Sequence, residues 1–482
     1  MKGQIEFSIV NLSNIDQVKQ RIDSEYYRNF YLELDDKINS LGKVYLKDVD
    51  VKLDCSAFYP AITDYYNFEG EGIPFIRVNE IQKGLVTITP STAFLPQSVI
   101  DDNSNTIAVA FPDDIVIAKG GNTLAKLGLV TDQYPYYALS RDVILIRTNK
   151  LNGINKYYLW VMLHSNYGQD LLWRTASQTG QPHLTLPSIE EIGIPRFSED
   201  FESKFESLYK LSTELKIESD ITYSRAEELL LESIGLSNFE PNSASVSIKS
   251  FKESFLSSAR LDAEYYQPKF EQLIEHIIGQ NYDLLKNIVD IKKSVEPGSA
   301  YYSDEGLPFL RVSDYNKFDI TEPGKKLSFE FCKENAELIN ELKPKKGTIL
   351  FSKDGSVGLA CILREDKNLV TSGAVLHLTL KKNTKLIPEY LLLVLNSLVV
   401  KMQAERDAGG SIILHWRVNE IEDLLIPIVD YEKQKNIGDL VNESYRLRKE
   451  SEKLLELAKR AVEIAIEQDQ FIATDYIERN SL

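Results

Sequence analysis

Two stretches of the sequence repeat apolar residues with the period of an α-helix over an exceptional length. Between Glu199 and Gly235 the apolar residues recur at steps of three and four, and neither proline nor glycine interrupts them. This pattern predicts a helix of about 36 residues that ends at Gly235. A second long helix is predicted from Tyr431 to Gln468, where the residues with the 3,4 spacing of a coiled coil are Ile437, Leu440, Leu447, Leu454, Ala458, Ala461 and Ala465.

Each of these helices carries an apolar stripe longer than a small neighbouring domain can cover. We therefore predict that the two helices pack against each other in antiparallel orientation. The alternative is that each helix folds back onto its own domain.

Short strand-like runs, separated by Gly, Pro and Asn, dominate the sequence before each long helix. Residues 75–78, 115–118 and 143–146 are examples, and helical patterns interrupt them at residues 21–37 and 156–173. The predicted fold class is α+β, with two duplicated α/β domains joined by two long antiparallel coiled-coil helices.

The duplication is visible in the residues themselves. Residues 21–27 (RIDSEYY) recur as residues 260–266 (RLDAEYY), and residues 71–78 (EGIPFIRV) recur as residues 305–312 (EGLPFLRV). The order is retained farther along the chain, where the corresponding pairs are Lys119 and Lys353, Tyr158 and Tyr390, His183 and His415, and Ile194-Pro195 and Ile426-Pro427. Internal self-similarity of this kind indicates two related units on one chain.

Composition favours a cytoplasmic protein without a membrane segment. No apolar run approaches the ~18 residues that a membrane span needs, and the first residues lack the pattern of a secretory signal. Cys55, Cys332 and Cys361 are too few and too scattered for a disulfide framework or a metal site. A reducing compartment is therefore expected.

The net charge of −17 argues at first sight against nucleic acid, because the phosphate backbone attracts Lys and Arg. The acidity is concentrated in residues 199–240, which hold 11 acidic against 4 basic residues. Residues 281–385 hold 17 basic against 15 acidic residues. The charge distribution is therefore compatible with a protein that binds DNA within a larger assembly.

No catalytic motif emerges from the sequence. It contains no phosphate-binding loop, no H-E-x-x-H, no paired Cys-x-x-Cys, and no Asn-Pro-Pro-Tyr or Asp-Pro-Pro-Tyr run of an amino-methyltransferase. The five histidines are scattered. We expect a non-catalytic binding protein that needs neither cofactor nor metal.

Two glycine-containing loops are candidates for DNA contact. The loop after a predicted strand in the second half offers Lys353 and Ser356 to phosphate oxygens or base edges, and its counterpart in the first half offers Lys119, Asn122 and Thr123. The alternative for both loops is a tight turn with a solvated lysine. Because the two loops diverged while their surroundings did not, they are typical of two readers of different targets.

Two further groups carry side chains suited to DNA. Arg77 and Arg311 lie in strand-like runs, where contact with guanine competes with an ion pair inside the domain, and their retention in both halves favours the ion pair. His415 and Arg417, within residues 411–417, either contact DNA or only lead into the following strand.

The tyrosines of the repeated RxDxEYY segment are retained in both halves, which favours a structural role over sequence reading. Tyr26, Tyr27, Tyr265 and Tyr266 dock each unit either onto the helix pair or onto a partner protein. Both roles remain open from the sequence.

The order of these parts resembles the DNA-specificity (S) subunit of a type I restriction–modification system. The resembling segments are residues 260–268, residues 306–312, residues 353–358, and Ile426-Pro427 leading into the helix with Gln434 and Ile437. The resemblance covers nearly the whole chain. The first half is the weaker match, because its glycine loop is altered and no Gln follows Ile194-Pro195 in the same way.

The resemblance implies a division into an N-terminal conserved segment (1–40), a first target-recognition domain (41–198), a central spacer helix (199–235), a linker with the repeated segment (236–280), a second target-recognition domain (281–430) and a C-terminal spacer helix (431–470). Each domain would read one half of a bipartite site in double-stranded DNA, and the helices would set the spacer. Two methyltransferase subunits would bind the helices, and motor-nuclease subunits would join for cleavage. The residues expected to bind partners on the helices are Leu208, Leu215, Leu440, Leu447 and Leu454. The rival hypotheses are a specificity module of a related phage-defence or solitary methylation system, a protein scaffold without DNA contact, and an enzyme with an unrecognised site.

Overall fold

The computed structural model describes residues 7–12, 15, 21–57, 60–89, 91–176, 182–244, 246–410 and 414–481. The chain forms two compact units, the first from residues 1–214 and 450–482 and the second from residues 215–449. The boundaries between the units, at residues 214/215 and 449/450, lie inside the two long helices. Each unit therefore contains part of each long helix.

The first unit combines three small sheets with short helices. Its strands are β1 (Lys43–Tyr45), β2 (Lys52–Cys55), β3 (Ile73–Ile76), β4 (Ile81–Gln82), β5 (Leu85–Val86), β6 (Phe94–Leu95), β7 (Val109–Ala110), β8 (Ile115–Ala118), β9 (Leu127–Leu129), β10 (Tyr137–Leu139), β11 (Val143–Arg147) and β12 (Gly193–Pro195). The helices are α1 (Asn29–Ser40), α2 (Gln97–Asp102), α3 (Lys156–His164), α4 (Asn166–Thr175) and α5 (Leu186–Glu190), followed by the long α6 (Glu199–Ser233). The sheets have the strand orders β2-β11-β8-β9-β5-β4, β6-β3-β10-β7 and β1-β12.

The second unit repeats this plan. Its helices are α7 (Phe255–Ser258), α8 (Pro268–Ile278), α9 (Leu285–Ile288), α10 (Phe329–Glu334), α11 (Ala336–Leu342), α12 (Pro388–Asn396), α13 (Leu398–Asp407) and α14 (Val418–Glu422), and the chain continues as α15 (Tyr431–Glu467) and α16 (Gln470–Asn480). The strands are β13 (Tyr282–Leu284), β14 (Val289–Lys293), β15 (Tyr302–Ser303), β16 (Leu307–Leu310), β17 (Lys326–Leu327), β18 (Ile349–Ser352), β19 (Ala360–Ile362), β20 (Val370–Thr371), β21 (Val375–Leu380) and β22 (Leu425–Pro427).

The two units share topology as well as motifs. The order β14-β21-β18-β19 in the second unit corresponds to β2-β11-β8-β9 in the first, and the pair β13-β22 corresponds to β1-β12. In both units one buried tyrosine hydroxyl donates a hydrogen bond to a proline carbonyl, from Tyr158 to Pro195 (2.6 Å) and from Tyr390 to Pro427 (2.8 Å). A buried hydroxyl needs a partner, which explains why both ends of this contact recur in the sequence.

Buried serines join the long helices inside each unit. In the first unit Ser212 donates to the carbonyl of Ser451 (3.0 Å), and in the second unit Ser219 and Ser444 each donate to the other's carbonyl (2.7 Å). The orientation is antiparallel, because in the first unit the N–H of Ser198 also donates to the side chain of Gln470. The predicted antiparallel packing is confirmed, and most residues of the predicted seam on α15 are buried.

The alternative, in which each helix packs on its own domain, also holds for part of each helix. In the first unit Tyr209 of α6 stacks on Tyr157, with ring centroids 4.9 Å apart, and Phe205 contacts Tyr158. In the second unit a single hydrophobic cluster contains residues of α6, α15, α12 and the β14-β21-β18-β19 sheet. In each unit the long helices therefore pack both against each other and against the body of the domain.

Two helix boundaries differ from the sequence prediction. The expected helix at residues 21–37 begins only at Asn29, because the Asp23 carboxylate accepts the backbone N–H of Tyr26 and holds a turn before it. The expected helix at residues 156–173 breaks at Ser165, whose backbone is extended and whose hydroxyl accepts the N–H of Gly168. Ser397 makes the corresponding break between α12 and α13.

Acid sensitivity follows from one buried histidine of the second unit. His377 on β21 is 4% exposed, and its ring lies 2.8 Å from the Thr371 hydroxyl. Burial, with a smaller contribution from Lys292, lowers the pKa of His377 to about 4. Because the folded pKa lies below the unfolded value of about 6.5, this histidine contributes stability above pH 6.5 that is lost as the pH falls towards 4.

We predict that the free energy of unfolding falls by roughly 2 kcal/mol between pH 7 and pH 5 because of His377 alone. His377→Gln, which stays neutral, should abolish this part of the loss, whereas His183→Gln at an exposed position should retain it. Urea unfolding at the two pH values measures the difference. Equal losses in His377→Gln and the parent protein would contradict the assignment.

Candidate nucleic-acid interface

The repeated RxDxEYY segment forms a compact turn on the body of the first unit. Arg21 pairs with Asp23 (2.7 Å) and donates to the carbonyl of Ala176 beside the C-terminal end of α4 (2.8 Å). The guanidinium groups of Arg21 and Arg174 lie over the Tyr26 ring, 4.5 and 4.3 Å from its centroid. Two cation–π contacts on one ring hold the segment to the end of α4.

The second copy of the segment makes the same contacts in the second unit. Arg260 pairs with Asp262 (2.6 Å) and donates to the carbonyl of Asp407 at the end of α13 (2.8 Å). Arg260 and Arg406 lie over the Tyr265 ring, 4.6 and 5.1 Å from its centroid.

The second tyrosine of each copy closes the turn, because the hydroxyls of Tyr27 and Tyr266 donate to the carbonyls of Arg21 and Arg260. The arginines that contact the first tyrosine from outside the segment come from α4 and α13. Docking of these tyrosines onto the helix pair or onto a partner protein stays a prediction. Arg174 and Arg406 were missed by the sequence analysis, although they occupy corresponding places at the ends of these helices.

The glycine loop of the second unit is held by its backbone on both sides. The N–H of Lys353 donates to Ala374 (2.9 Å), and the carbonyl of Lys353 accepts from Trp416 (2.8 Å). Gly355 and Gly358 have φ of +76° and +82°, a region that residues with a Cβ rarely adopt. The loop therefore has a defined conformation that presents Ser356 at the surface.

Two side chains, Lys353 of this loop and His415 from a distant segment, meet at Asp354. Its carboxylate contacts the Lys353 ammonium group, and its other oxygen lies 2.8 Å from Nδ1 of His415. His415 and Arg417 are exposed, and residues 411–413 lie outside the described residues. The structure thus brings together Lys353 and His415, which the sequence analysis treated as separate candidates.

The loop of the first unit keeps the lysine and loses the carboxylate. The N–H of Lys119 donates to Asp142, and its carbonyl accepts from Leu184, both at 2.8 Å. Gly120 forms a backbone bridge with His183, as Asp354 does with His415. The remaining predicted residues of this loop, Asn122 and Thr123, are exposed.

Arg77 and Arg311 each pair with a carboxylate three residues farther along. Arg77 contacts the buried Glu80 (2.9 Å) and donates to the carbonyl of Ser91 (2.7 Å). Arg311 contacts Asp314 at 3.4 Å and is more exposed than Arg77. The ion pair that the sequence analysis favoured is thus present in both units, and DNA contact by these arginines stays a prediction.

The leucines predicted to bind partners face the interior. Leu208, Leu447 and Leu454 are buried, and Leu215 and Leu440 are half-buried. The heptad pattern could not distinguish a seam within the chain from a seam for a partner, because both need the same spacing. A partner on these helices has to contact other positions.

The described ranges contain no cluster of metal ligands. No group of three or more His, Cys, Asp or Glu side chains is arranged to hold a metal ion there. Within the same residues, no helix is long and apolar enough to cross a membrane. The cysteines are free thiols, and burial raises the pKa of Cys361 to about 12.

Part of the chain matches a known protein family. Residues 284–457 match the family described as the type I restriction modification DNA specificity domain. The match confirms the resemblance to type I specificity subunits that the sequence motifs indicated.

Solved structures of the same kind are similar over most of the chain at low identity. The S subunit of the type I restriction-modification system from M. genitalium is 13% identical, with 88% of this chain and 95% of that chain covered and a TM-score of 0.37. The HsdS subunit from Thermoanaerobacter tengcongensis is 15% identical, with 89% and 97% covered and a TM-score of 0.27. No curated protein matches the chain.

We predict that Tyr265→Ala lowers the free energy of unfolding by about 2–3 kcal/mol, because it removes the ring between Arg260 and Arg406. Tyr265→Phe keeps the ring and should stay within about 0.5 kcal/mol of the parent protein. Urea unfolding monitored by circular dichroism measures both variants. A loss in Tyr265→Phe as large as that in Tyr265→Ala would show that the hydroxyl, rather than the ring, holds the segment.

Proposed function

We propose that this chain is the DNA-specificity subunit of a type I restriction–modification complex. Each unit reads one half of a bipartite site in double-stranded DNA. The long helices set the length of the unread spacer and bind two methyltransferase subunits, and motor-nuclease subunits join the complex for cleavage. The protein acts in the cytoplasm and carries out no catalysis itself.

The observation that carries the proposal is the family match of the second unit together with the duplication. Residues 284–457 match a DNA specificity domain, and the first unit repeats its sheet order, its Tyr-to-Pro hydrogen bond and its RxDxEYY contacts. Two copies of a DNA-reading domain with divergent loops suit a site with two different halves. Phosphate contacts then position each unit, and contacts with base edges supply the specificity.

Methylation of host DNA offers a direct test of two readers. The chain is co-expressed with the methyltransferase subunit encoded beside it, and methylated adenines are mapped by sequencing. We expect one motif with two short specified halves and an unspecified gap of fixed length. A formed complex that produces no motif would favour the protein-scaffold hypothesis, and a motif with a single half would contradict the assignment of the first unit.

Partner binding needs two equivalent surfaces if two identical subunits bind. The sequence similarity extends upstream of the RxDxEYY segment, where Phe7-Ser8-Ile9 corresponds to Val246-Ser247-Ile248. The apolar side chains of this upstream segment are exposed in both units, with Ile9 at 87% and Ile248 at 90%. The exposed apolar residues at corresponding positions are Phe7, Ile9, Leu12 and Ile22 in the first unit and Val246, Ile248, Phe251 and Leu261 in the second.

Exposed apolar rows of this kind are typical of protein contacts. We therefore assign one methyltransferase subunit to each upstream segment. On α6 the exposed apolar residues Ile217 and Ile221 supply the helix contact, in place of the buried leucines.

We predict that Ile9→Asp and Ile248→Asp each reduce the bound methyltransferase from two subunits to one, because a charge in an apolar contact is costly to desolvate. The double variant should bind none. Native mass spectrometry of the co-purified complex counts the subunits, and circular dichroism confirms that each variant is folded.

Ile221→Asp tests the helix contact by itself. The number of methyltransferase subunits that this variant loses measures how much the helix contributes to binding. If the Ile9→Asp, Ile248→Asp double variant retained two subunits while Ile221→Asp retained none, docking would lie on the helices alone.

A further inference from the structure

Lys119 and Lys353 occupy the same backbone position in their units. Each follows a central strand, β8 or β18, and each has its N–H and carbonyl bonded to neighbouring segments of its own unit. The residue after each lysine forms an antiparallel bridge with a histidine, His183 or His415. The two lysines are therefore comparable, and any difference between them comes from the surrounding side chains.

The residue that differs is the one in the bridge. In the second unit it is Asp354, whose two carboxylate oxygens engage the ammonium group of Lys353 and the ring of His415. In the first unit it is Gly120, and within the part of the chain that the structure describes Lys119 has no ion pair. A Cβ at Gly120 would lie 2.2 Å from Nδ1 of His183, so the His183 ring occupies the space of the missing carboxylate.

A lysine that is paired with a neighbouring carboxylate adds no net positive charge beside a DNA phosphate. The release of counterions from DNA depends on the number of phosphates that the protein neutralises. A fixed carboxylate beside the ammonium group offsets that neutralisation and repels the phosphate itself. Lys353 is half-buried beside Asp354, whereas Lys119 lacks such a neighbour among the described residues.

We propose that Asp354 is a positioning residue that makes the two loops electrostatically unequal. It holds Lys353 and His415 in the second loop and keeps Lys353 from neutralising a phosphate, so Lys119 alone supplies a phosphate contact at this position. The second loop then presents the charge-balanced Lys353–Asp354 pair and the Ser356 hydroxyl, which suit base edges. This inference rests on the proposed function, because it assumes that both loops face DNA.

The salt dependence of DNA binding tests the assignment. The full chain, purified with its methyltransferase subunits, is titrated onto DNA that carries the mapped methylation site, from 50 to 200 mM salt. Lys119→Ala should make the slope of log K against log salt shallower by about 0.9, which corresponds to roughly 3–4-fold less variation of affinity across this range. Lys353→Ala should leave the slope unchanged.

Removal of the carboxylate should expose the second lysine. Asp354→Asn keeps the size of the side chain and should steepen the slope by about 0.9. The double variant Asp354→Asn, Lys353→Ala should return the slope to the parent value, because the gained contact belongs to Lys353. This cycle separates a charge effect from a folding defect, since a destabilised loop does not restore the parent slope when a second residue is removed.

The reciprocal change in the first loop is the matched control. Because the His183 ring occupies the space of a side chain at Gly120, both changes are made together with His183→Ala. Gly120→Asp should then make the slope shallower by about 0.9 relative to His183→Ala alone, and Gly120→Asn, with the same shape and no charge, should leave it unchanged. If the slope of Asp354→Asn equals that of the parent, Asp354 is not the positioning residue. A changed methylation motif in Asp354→Asn would instead make Asp354 a base-reading residue and overturn the inference. Absence of site-specific binding by the parent complex would reject the proposed function itself.

Discussion

The whole structure depends on pairing of helix segments that are far apart in the sequence. In the first unit Ser212 meets Ser451, and in the second unit Ser219 meets Ser444. A serine is small enough to let two backbones approach, and its hydroxyl has to be satisfied once it is buried. Bonding each hydroxyl to the opposite backbone meets both conditions, so the register of the helices is determined by polar contacts as well as by the apolar seam.

The sequence predicted the regular part of this fold well. The helices α6 and α15 agree with their predicted limits within two residues, because the apolar period is long and no proline interrupts it. The start of α1 and the break at Ser165 were missed, because both depend on side chains that bond the local backbone in competition with the helix.

The positions of the candidate loops could be predicted from the sequence, but their long-range side-chain contacts could not. Both glycine loops were located, because glycine and lysine follow a strand in each half. The contact between Asp354 and His415 joins residues 61 positions apart, which no local pattern reveals. The sequence also did not predict that Leu208, Leu447 and Leu454 are buried within the chain. A heptad pattern predicts an apolar seam but does not show whether a helix of the same chain or a partner protein covers it.

Several contacts that hold the scaffold are retained between the units, whereas the surface loops at Lys119 and Lys353 differ. The tyrosine-to-proline bond and the arginine–tyrosine contacts recur in the same geometry. The loops at Lys119 and Lys353 share a backbone position and differ in charge. A fold divided in this way accepts changes in the loops without loss of the framework, because the framework contacts do not pass through them.

The discontinuous first unit has a consequence for synthesis of the protein. Residues 450–482 complete a unit that starts with residues 1–214, and the whole second unit lies between these parts. At ribosomal rates of about 5–20 residues per second, residues 215–449 take on the order of 10–50 s to appear. During that interval the Ser212 face of α6 has no partner helix. The second unit is therefore completed first, and the Ser212 face of α6 stays uncovered until residues 450–482 have been made.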